Sequence, residues 1–258
     1  MDKALERQLR ENPMILEEIE NPSDELKSIA LTRNGIVIKF IKEPSYKEKE
    51  MAIKSNPLAV KYIENLEEDL SVLAVTLLWN AVSFIKNPSY RVKKAAVTAK
   101  GWAMQYIDNQ EDELCKIAVN KDYDAIKYIN NPSEEVQLLA IKNYWGAIKF
   151  IKNPSLNIKI AAIKESAEAI NFIASYNMDE LKKLIFENIN VVKYVYDSIS
   201  PSDVIEVLID KINKDDMSTK YMIDFLELDI LEMDKIKFIF EYGNKRIKKI
   251  LVDYNLSK

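Results

Sequence analysis

Aromatic rings and lysines carry the recognisable chemistry of this 258-residue chain. Trp79, Trp102 and Trp145, joined by Tyr123 and Tyr144, recur near one place in a periodic sequence. Rings of that size offer contact area to a protein partner. A second set, Lys39, Lys61, Lys127 and Lys149, falls in a column spaced by 22 residues, filled elsewhere by Glu17, Ser83, Gln105, Asn171 and Lys193 and never by an apolar residue. Lys42, Lys86 and Lys152 follow three positions on. Ammonium groups in line attract an acidic protein surface or a nucleic-acid backbone. Each set has a plainer reading too: the rings can fold back over their own repeats, and the lysines can be a solvated face.

Bond-making chemistry finds little to work with. The chain has no histidine, one cysteine and four glycines, so the usual acid–base pairs, Cys/His zinc sites and Gly-rich phosphate loops are missing. Cys115 shares a column with Lys27, Lys49, Lys93, Gln137 and Lys159 and is expected at the surface without a base beside it. The carboxylate pairs Asp112-Glu113 and Glu134-Glu135 fall in first turns of expected helices, where acids complement the helix dipole. The expectation is a protein that is not an enzyme and needs no metal or cofactor.

The elements that position these residues follow from a repeat of 22 residues. Its anchor returns at Asn21-Pro22-Ser23, Glu43-Pro44-Ser45, Asn65-Leu66-Glu67, Asn87-Pro88-Ser89, Asn109-Gln110-Glu111, Asn131-Pro132-Ser133 and Asn153-Pro154-Ser155. Asn reads as a helix cap and Pro as the first helical position of a helix A. Ala30, Ala52, Ala74, Ala96, Ala118, Ala140 and Ala162 mark one column in which a small side chain lets neighbouring helices approach. A break follows, such as Asn34-Gly35 or Asn56-Pro57, and then a short helix B such as 147–151. The tryptophans fall in these breaks, from the third to the sixth unit. The ladder Phe40, Tyr62, Phe84, Tyr106, Tyr128, Phe150, Phe172 and Tyr194 reads as core.

Units this short cannot bury their apolar faces alone, so the pattern predicts an all-α fold, an α-solenoid of stacked two-helix 22-residue repeats with a helical C-terminal cap. Residues 1–20 read as a partial opening repeat, 21–196 as the solenoid, and 197–258 as the cap, with a small effector domain as the alternative.

Composition narrows the class further. At 48% hydrophobic and 30% charged residues the chain reads as a folded soluble protein. The mainly apolar run 70–79 is too short to span a bilayer, and the start lacks the pattern of a signal peptide. The expected compartment is the cytoplasm, with no membrane partner. A net charge of −4 and only five arginines against 32 lysines argue against nucleic acid as the first choice of partner. The lysine, isoleucine and asparagine bias points to an AT-rich coding genome.

The segments 131–142, Asn-Pro-Ser-Glu-Glu-Val-Gln-Leu-Leu-Ala-Ile-Lys, and 147–155, Ala-Ile-Lys-Phe-Ile-Lys-Asn-Pro-Ser, resemble short two-helix HEAT-like repeats of bacterial and phage proteins. The resemblance covers about 21–196. It implies an interaction surface and brings no catalytic residue with it. The expected function is therefore a non-enzymatic protein-binding scaffold, and a phage origin would make it an inhibitor of a host protein or defence system. The alternative is a nucleic-acid-binding solenoid with a lysine-lined groove, like the HEAT-type DNA-repair glycosylases. Candidate partner-binding residues are Trp79, Trp102, Tyr123, Tyr144, Trp145, Lys39, Lys61, Lys127 and Lys149.

Overall fold

The computed structural model describes residues 3–256 and is helical throughout, with no strand among them. Met1, Asp2, Ser257 and Lys258, which belong to the expected opening and closing segments, lie outside the described residues. The fold is an α-solenoid of stacked two-helix repeats, and the chain divides into two compact units, Met1–Val136 and Gln137–Lys258.

In the first unit each repeat pairs an α-helix with a six-residue 3-10 helix. The α-helices are Lys3–Glu11, Asp24–Arg33, Tyr46–Ser55, Glu68–Leu77, Tyr90–Ala99 and Asp112–Lys121. The 3-10 helices are Pro13–Glu18, Gly35–Phe40, Pro57–Tyr62, Trp79–Phe84, Gly101–Tyr106 and Tyr123–Tyr128. Successive α-helices pack on one another, and so do successive 3-10 helices. The opening segment thus has both elements of a repeat.

The anchor works differently from the sequence reading. Asn is not the helix cap: Asn21, Asn65, Asn87 and Asn131, with Glu43 in the same column, adopt left-handed backbone with φ of 49–52°. Pro disfavours right-handed helical backbone in the residue before it, and asparagine tolerates the left-handed alternative. The cap is the serine two residues on. Ser23 Oγ accepts from the Leu26 N–H and Ser89 Oγ from the Val92 N–H, while Ser45 and Glu48 form a reciprocal capping box. Where Pro gives way to Gln110, its amide donates to the Met104 and Tyr128 carbonyls at 3.1 and 2.8 Å and its oxygen accepts from the Asn130 N–H at 2.7 Å. That side chain ties neighbouring turns together in place of the anchor.

The break between the two helices is a single residue. The Asn34 N–H closes the α-helix on the Ala30 carbonyl at 2.9 Å, and its side chain caps the 3-10 helix at the Ile36 N–H. Asn56 does both jobs in the next repeat. Ala30, Ala52, Ala74, Ala96 and Ala118 are fully buried, as the close approach of helices requires.

A 3-10 helix has about three residues per turn, so its fourth residue and the isoleucine three positions later share one side. Ile38 with Ile41, Val60 with Ile63, Met104 with Ile107 and Ile126 with Ile129 are buried there, beside an inward residue at position three. Positions five and six are left outside. The aromatic ladder occupies position six, so it is a surface ladder rather than core: Tyr62, Phe84 and Tyr106 are 40–42% exposed.

Cys115 lies on the opposite side of expectation too. It is buried, with Sγ 3.7 Å from the Gln110 carbonyl oxygen. Burial, helped by the Asp112 charge, pushes its thiol up to about 11. Its column points inward. Lys49 is buried there as well, and its long stem carries Nζ to the Asn65 carbonyl at 3.2 Å and to Glu67 at 3.1 Å in the next repeat. A lysine can reach such partners from a buried stem, whereas cysteine fills the same space as a small apolar group.

The second unit continues with the 3-10 helices Trp145–Phe150 and Ala167–Phe172, the α-helices Leu156–Glu165 and Met178–Glu187, and a last turn, Ile189–Val191, that runs on as α-helix Val192–Val195. The helices Pro201–Asn213, Thr219–Leu226, Lys235–Tyr242 and Lys245–Leu256 follow. Buried Phe225 packs edge-on against Phe238 at 5.8 Å. The Tyr221 hydroxyl donates to the Ile185 carbonyl at 2.8 Å and so fastens these helices to the last repeat.

Candidate functional site

The outward positions of the 3-10 helices gather most of the sequence candidates. In the first unit, Lys39 Nζ stands 4.6 Å above the Phe40 ring. Lys61 Nζ lies 5.9 Å from the Tyr62 ring and 5.6 Å from Phe84 of the following repeat. Distances of this order hold an ammonium against the ring quadrupole. Neither lysine forms an ion pair among the described residues.

The tryptophans occupy the first turn of their 3-10 helices and not a loop, and each leans on the aromatic ladder of the next repeat. Trp79 stacks on Tyr106 at 6.1 Å with 29° between the planes, and Trp102 meets Tyr128 edge-on at 6.4 Å. Such offset and edge-on pairs are the favoured geometries of π-systems. Tyr123, at the first position of its 3-10 helix, is half-buried.

Trp102 has the most elaborate surroundings. Its Nε1–H donates to Asp124 Oδ1 at 2.7 Å, and Lys100 and Lys127 hold their ammonium groups 4.6 and 4.5 Å from its ring. Asp124 Oδ2 also accepts from Lys127 at 2.9 Å, while Lys100 pairs with Asp122 at 2.6 Å. Partial burial pushes the Asp124 carboxyl up, but the bonds from Lys127 and Trp102 outweigh it and hold the group below the ordinary carboxylate range. The bond from Asp124 raises Lys127 in turn. Lys127 is thus compensated within its own repeat, unlike Lys39 and Lys61.

The second unit carries a smaller version of the same arrangement. Tyr144 precedes the 3-10 helix and tilts against Trp145 at 5.4 Å, with its ring lying over Gly146, where any Cβ would collide with it. Trp145 meets Phe172 at 6.0 Å, and Lys149 Nζ stands 4.7 Å over Phe150 with no carboxylate partner among the described residues.

The sequence reading therefore placed two candidate sets apart that share one face in each unit, and it missed the residues that join them: Tyr62, Phe84, Tyr106 and Tyr128 of the ladder, and Asp124. One signal was present in the ladder itself. Four of its eight members are tyrosines, whose hydroxyl is costly to bury without a partner. No family model matches the chain, and neither a curated protein nor a solved structure resembles it.

Proposed function

We propose that the chain is a non-enzymatic protein-binding module whose contact surface is the 3-10 face of residues 35–128. The observation that supports this reading is the half-exposed row Tyr62, Phe84 and Tyr106 in three successive repeats, with Lys61 set between the first two rings. Rings left in water at regular spacing forgo burial that the fold could have given them, and Tyr and Trp dominate the energetics of protein contacts. Capture of partners from nuclease-treated lysate, with Tyr62→Ala/Phe84→Ala/Tyr106→Ala beside the parent chain, tests it. The expected result is one stoichiometric protein lost with the triple variant while the melting curve shifts by only a few degrees. Equal recovery of that protein by both chains removes the proposal.

A second reading, a single-stranded nucleic-acid platform, draws support from Lys39 and Lys61, which have no carboxylate partner among the described residues and stand beside rings on which bases could stack. Binding of labelled oligo(dT) by fluorescence anisotropy decides between them. Affinity that falls steeply with salt and with Lys39→Ala/Lys61→Ala favours this reading, and no binding at low salt eliminates it.

A further inference from the structure

In the anchor column Pro22, Pro44, Leu66, Pro88, Gln110 and Pro132, only Gln110 can donate and accept hydrogen bonds through its side chain. Its carboxamide makes three, all to main-chain groups. Nε2 donates to the carbonyls of Met104, the fourth residue of one 3-10 helix, and Tyr128, the last residue of the next, while Oε1 accepts from the Asn130 N–H. Main-chain groups do not depend on residue type, so any pair of repeats with the same backbone offers the same set.

Two periods earlier the corresponding residues are Val60, Phe84, Lys86 and, in place of Gln110, Leu66. The flanking backbone is closely similar. Just past the 3-10 helices, φ and ψ are −104° and 116° at Ile63 against −114° and 110° at Ile107, and −91° and 116° at Ile85 against −96° and 123° at Ile129. The turn between them differs, because Asn65 is left-handed and Asn109 is not. A cleft of about 710 Å³ lies here, and Val60, Leu66, Phe84 and Lys86 all line it. The Phe84 carbonyl and the Lys86 N–H form no hydrogen bond among the described residues, and the Val60 carbonyl accepts only from the Ile63 N–H, at 3.4 Å. Two more periods back, with Pro22 as the anchor, a cleft of about 660 Å³ again includes Phe40 and Lys42, from the columns of Tyr128 and Asn130.

We infer that the cleft at Leu66 is a binding site for a primary carboxamide, supplied by a glutamine side chain of a protein partner; the source, though not the site, rests on the protein-binding reading above. Gln110 shows the match within the same chain: two carbonyls and one N–H meet a group with two donors and one acceptor. Other common groups fit less well. A carboxylate has no donor for the carbonyls, an ammonium has no acceptor for the Lys86 N–H, and a main-chain peptide group has a single N–H for two carbonyls. Tyr62 and Phe84 both line the cleft, so a glutamine seated there sets its own chain against the aromatic face.

Amide-resolved NMR of the full chain, titrated with propionamide to about 0.1 M because so small a ligand binds weakly, tests the site without any partner. The Lys86 N–H signal is expected to move, and to move several-fold less with N-methylacetamide or with propionate, which Lys61 and Lys86 attract but which cannot donate. Leu66→Trp, which fills the cleft, should abolish the response. Gln110→Leu should open the equivalent site, so that the Asn130 N–H gains the response and propionamide, but not propionate, restores part of the lost melting temperature. A Lys86 N–H unmoved by propionamide overturns the site, as does an equal response to propionate, while an equal response to N-methylacetamide replaces glutamine by a main-chain peptide and overturns the assignment. In capture from lysate, Leu66→Trp should lower recovery of the partner roughly tenfold, and undiminished recovery overturns the glutamine source. Capture of nothing by the parent chain removes the partner and with it that source, while the propionamide response judges the cleft by itself.

Discussion

At the scale of single residues, the most constrained group on the exposed face is Trp102. Its Nε1–H bonds to Asp124, which also holds Lys127, so one carboxylate organises a ring and a cation. Trp102→Phe keeps an aromatic ring but removes the donor together with the five-membered part of the indole. It should cost roughly 1.5–3 kcal/mol by urea unfolding, the range for a hydrogen bond to a charged partner. The pH dependence has a definite sign. Asp124 is depressed in the folded state below its reference value of 3.8, so its contribution is complete above that value and is lost as pH falls through the lower folded one. The gap between parent and Trp102→Phe should therefore hold constant from neutral pH down to about 4 and close only in stronger acid. A gap independent of pH across the acid range would mean that the ring, and not its bond to Asp124, provides the stability. None of this was legible in the sequence. Trp102 and Asp124 are 22 positions apart, and the column shared by the two holds Ile36, Leu58, Asn80 and Gly146, so nothing announces a bond between neighbours in it.

At the scale of elements, the anchor turn explains why Asn recurs and what its exception costs. Left-handed backbone is disfavoured for residues with a Cβ, least so for asparagine. Glu43 adopts φ 49° in that column. Glu43→Asn should therefore stabilise the chain by roughly 0.5–1 kcal/mol, and Glu43→Gly by less, since glycine also adds freedom to the unfolded state. Thermal and urea unfolding of the two variants check the order, and a loss of stability with Asn would show that the Glu43 side chain matters more than its backbone. The repeat length and the buried alanine column were readable, because each rests on one residue type at one spacing, whereas Asn34 and Asn56 read only as breaks and not as the caps of the second helix that they are. The nature of the second helix was not readable. Over six residues a three-residue and a 3.6-residue turn diverge too little to tell apart, and that difference alone sends Tyr62, Phe84 and Tyr106 outward instead of inward. Cys115 failed for another reason: a column of lysines looks exposed by composition, yet Lys49 is buried and only its ammonium finds polar partners.

At the scale of the molecule, contacts between repeats replace a shared centre. In the first unit each repeat touches the next through the alanine column, the stacked 3-10 helices and ties such as Lys27 to Glu48 at 3.3 Å, Lys49 to Glu67, Arg91 to Asp69 at 2.6 Å and Lys94 to Glu113 at 3.3 Å. Stability in such a stack is close to a sum of repeat and nearest-neighbour terms. Removing one whole period should then leave a folded protein. Deletion of residues 46–67 joins Ser45 to Glu68, so a serine cap again precedes an α-helix, and Ala30 faces Ala74 in place of Ala52. The expected product keeps a cooperative unfolding transition and a helical signal reduced in proportion to the lost residues, with a loss of a few kcal/mol for the missing repeat and interface. Deletion of 46–56 removes half a period, brings the 3-10 helix Pro57–Tyr62 directly behind an anchor turn, and should abolish cooperative folding of that unit. Circular dichroism through a urea titration separates the outcomes. If the full-period deletion were as damaging as the half, the buried alanines and isoleucines would belong to one indivisible core and the nearest-neighbour account would be wrong. If it folds, the face that carries Lys61 and Tyr62 can be removed without unfolding the rest, and the same variant then asks of any partner whether Lys39 and Phe40 can engage it once Phe84 follows them directly.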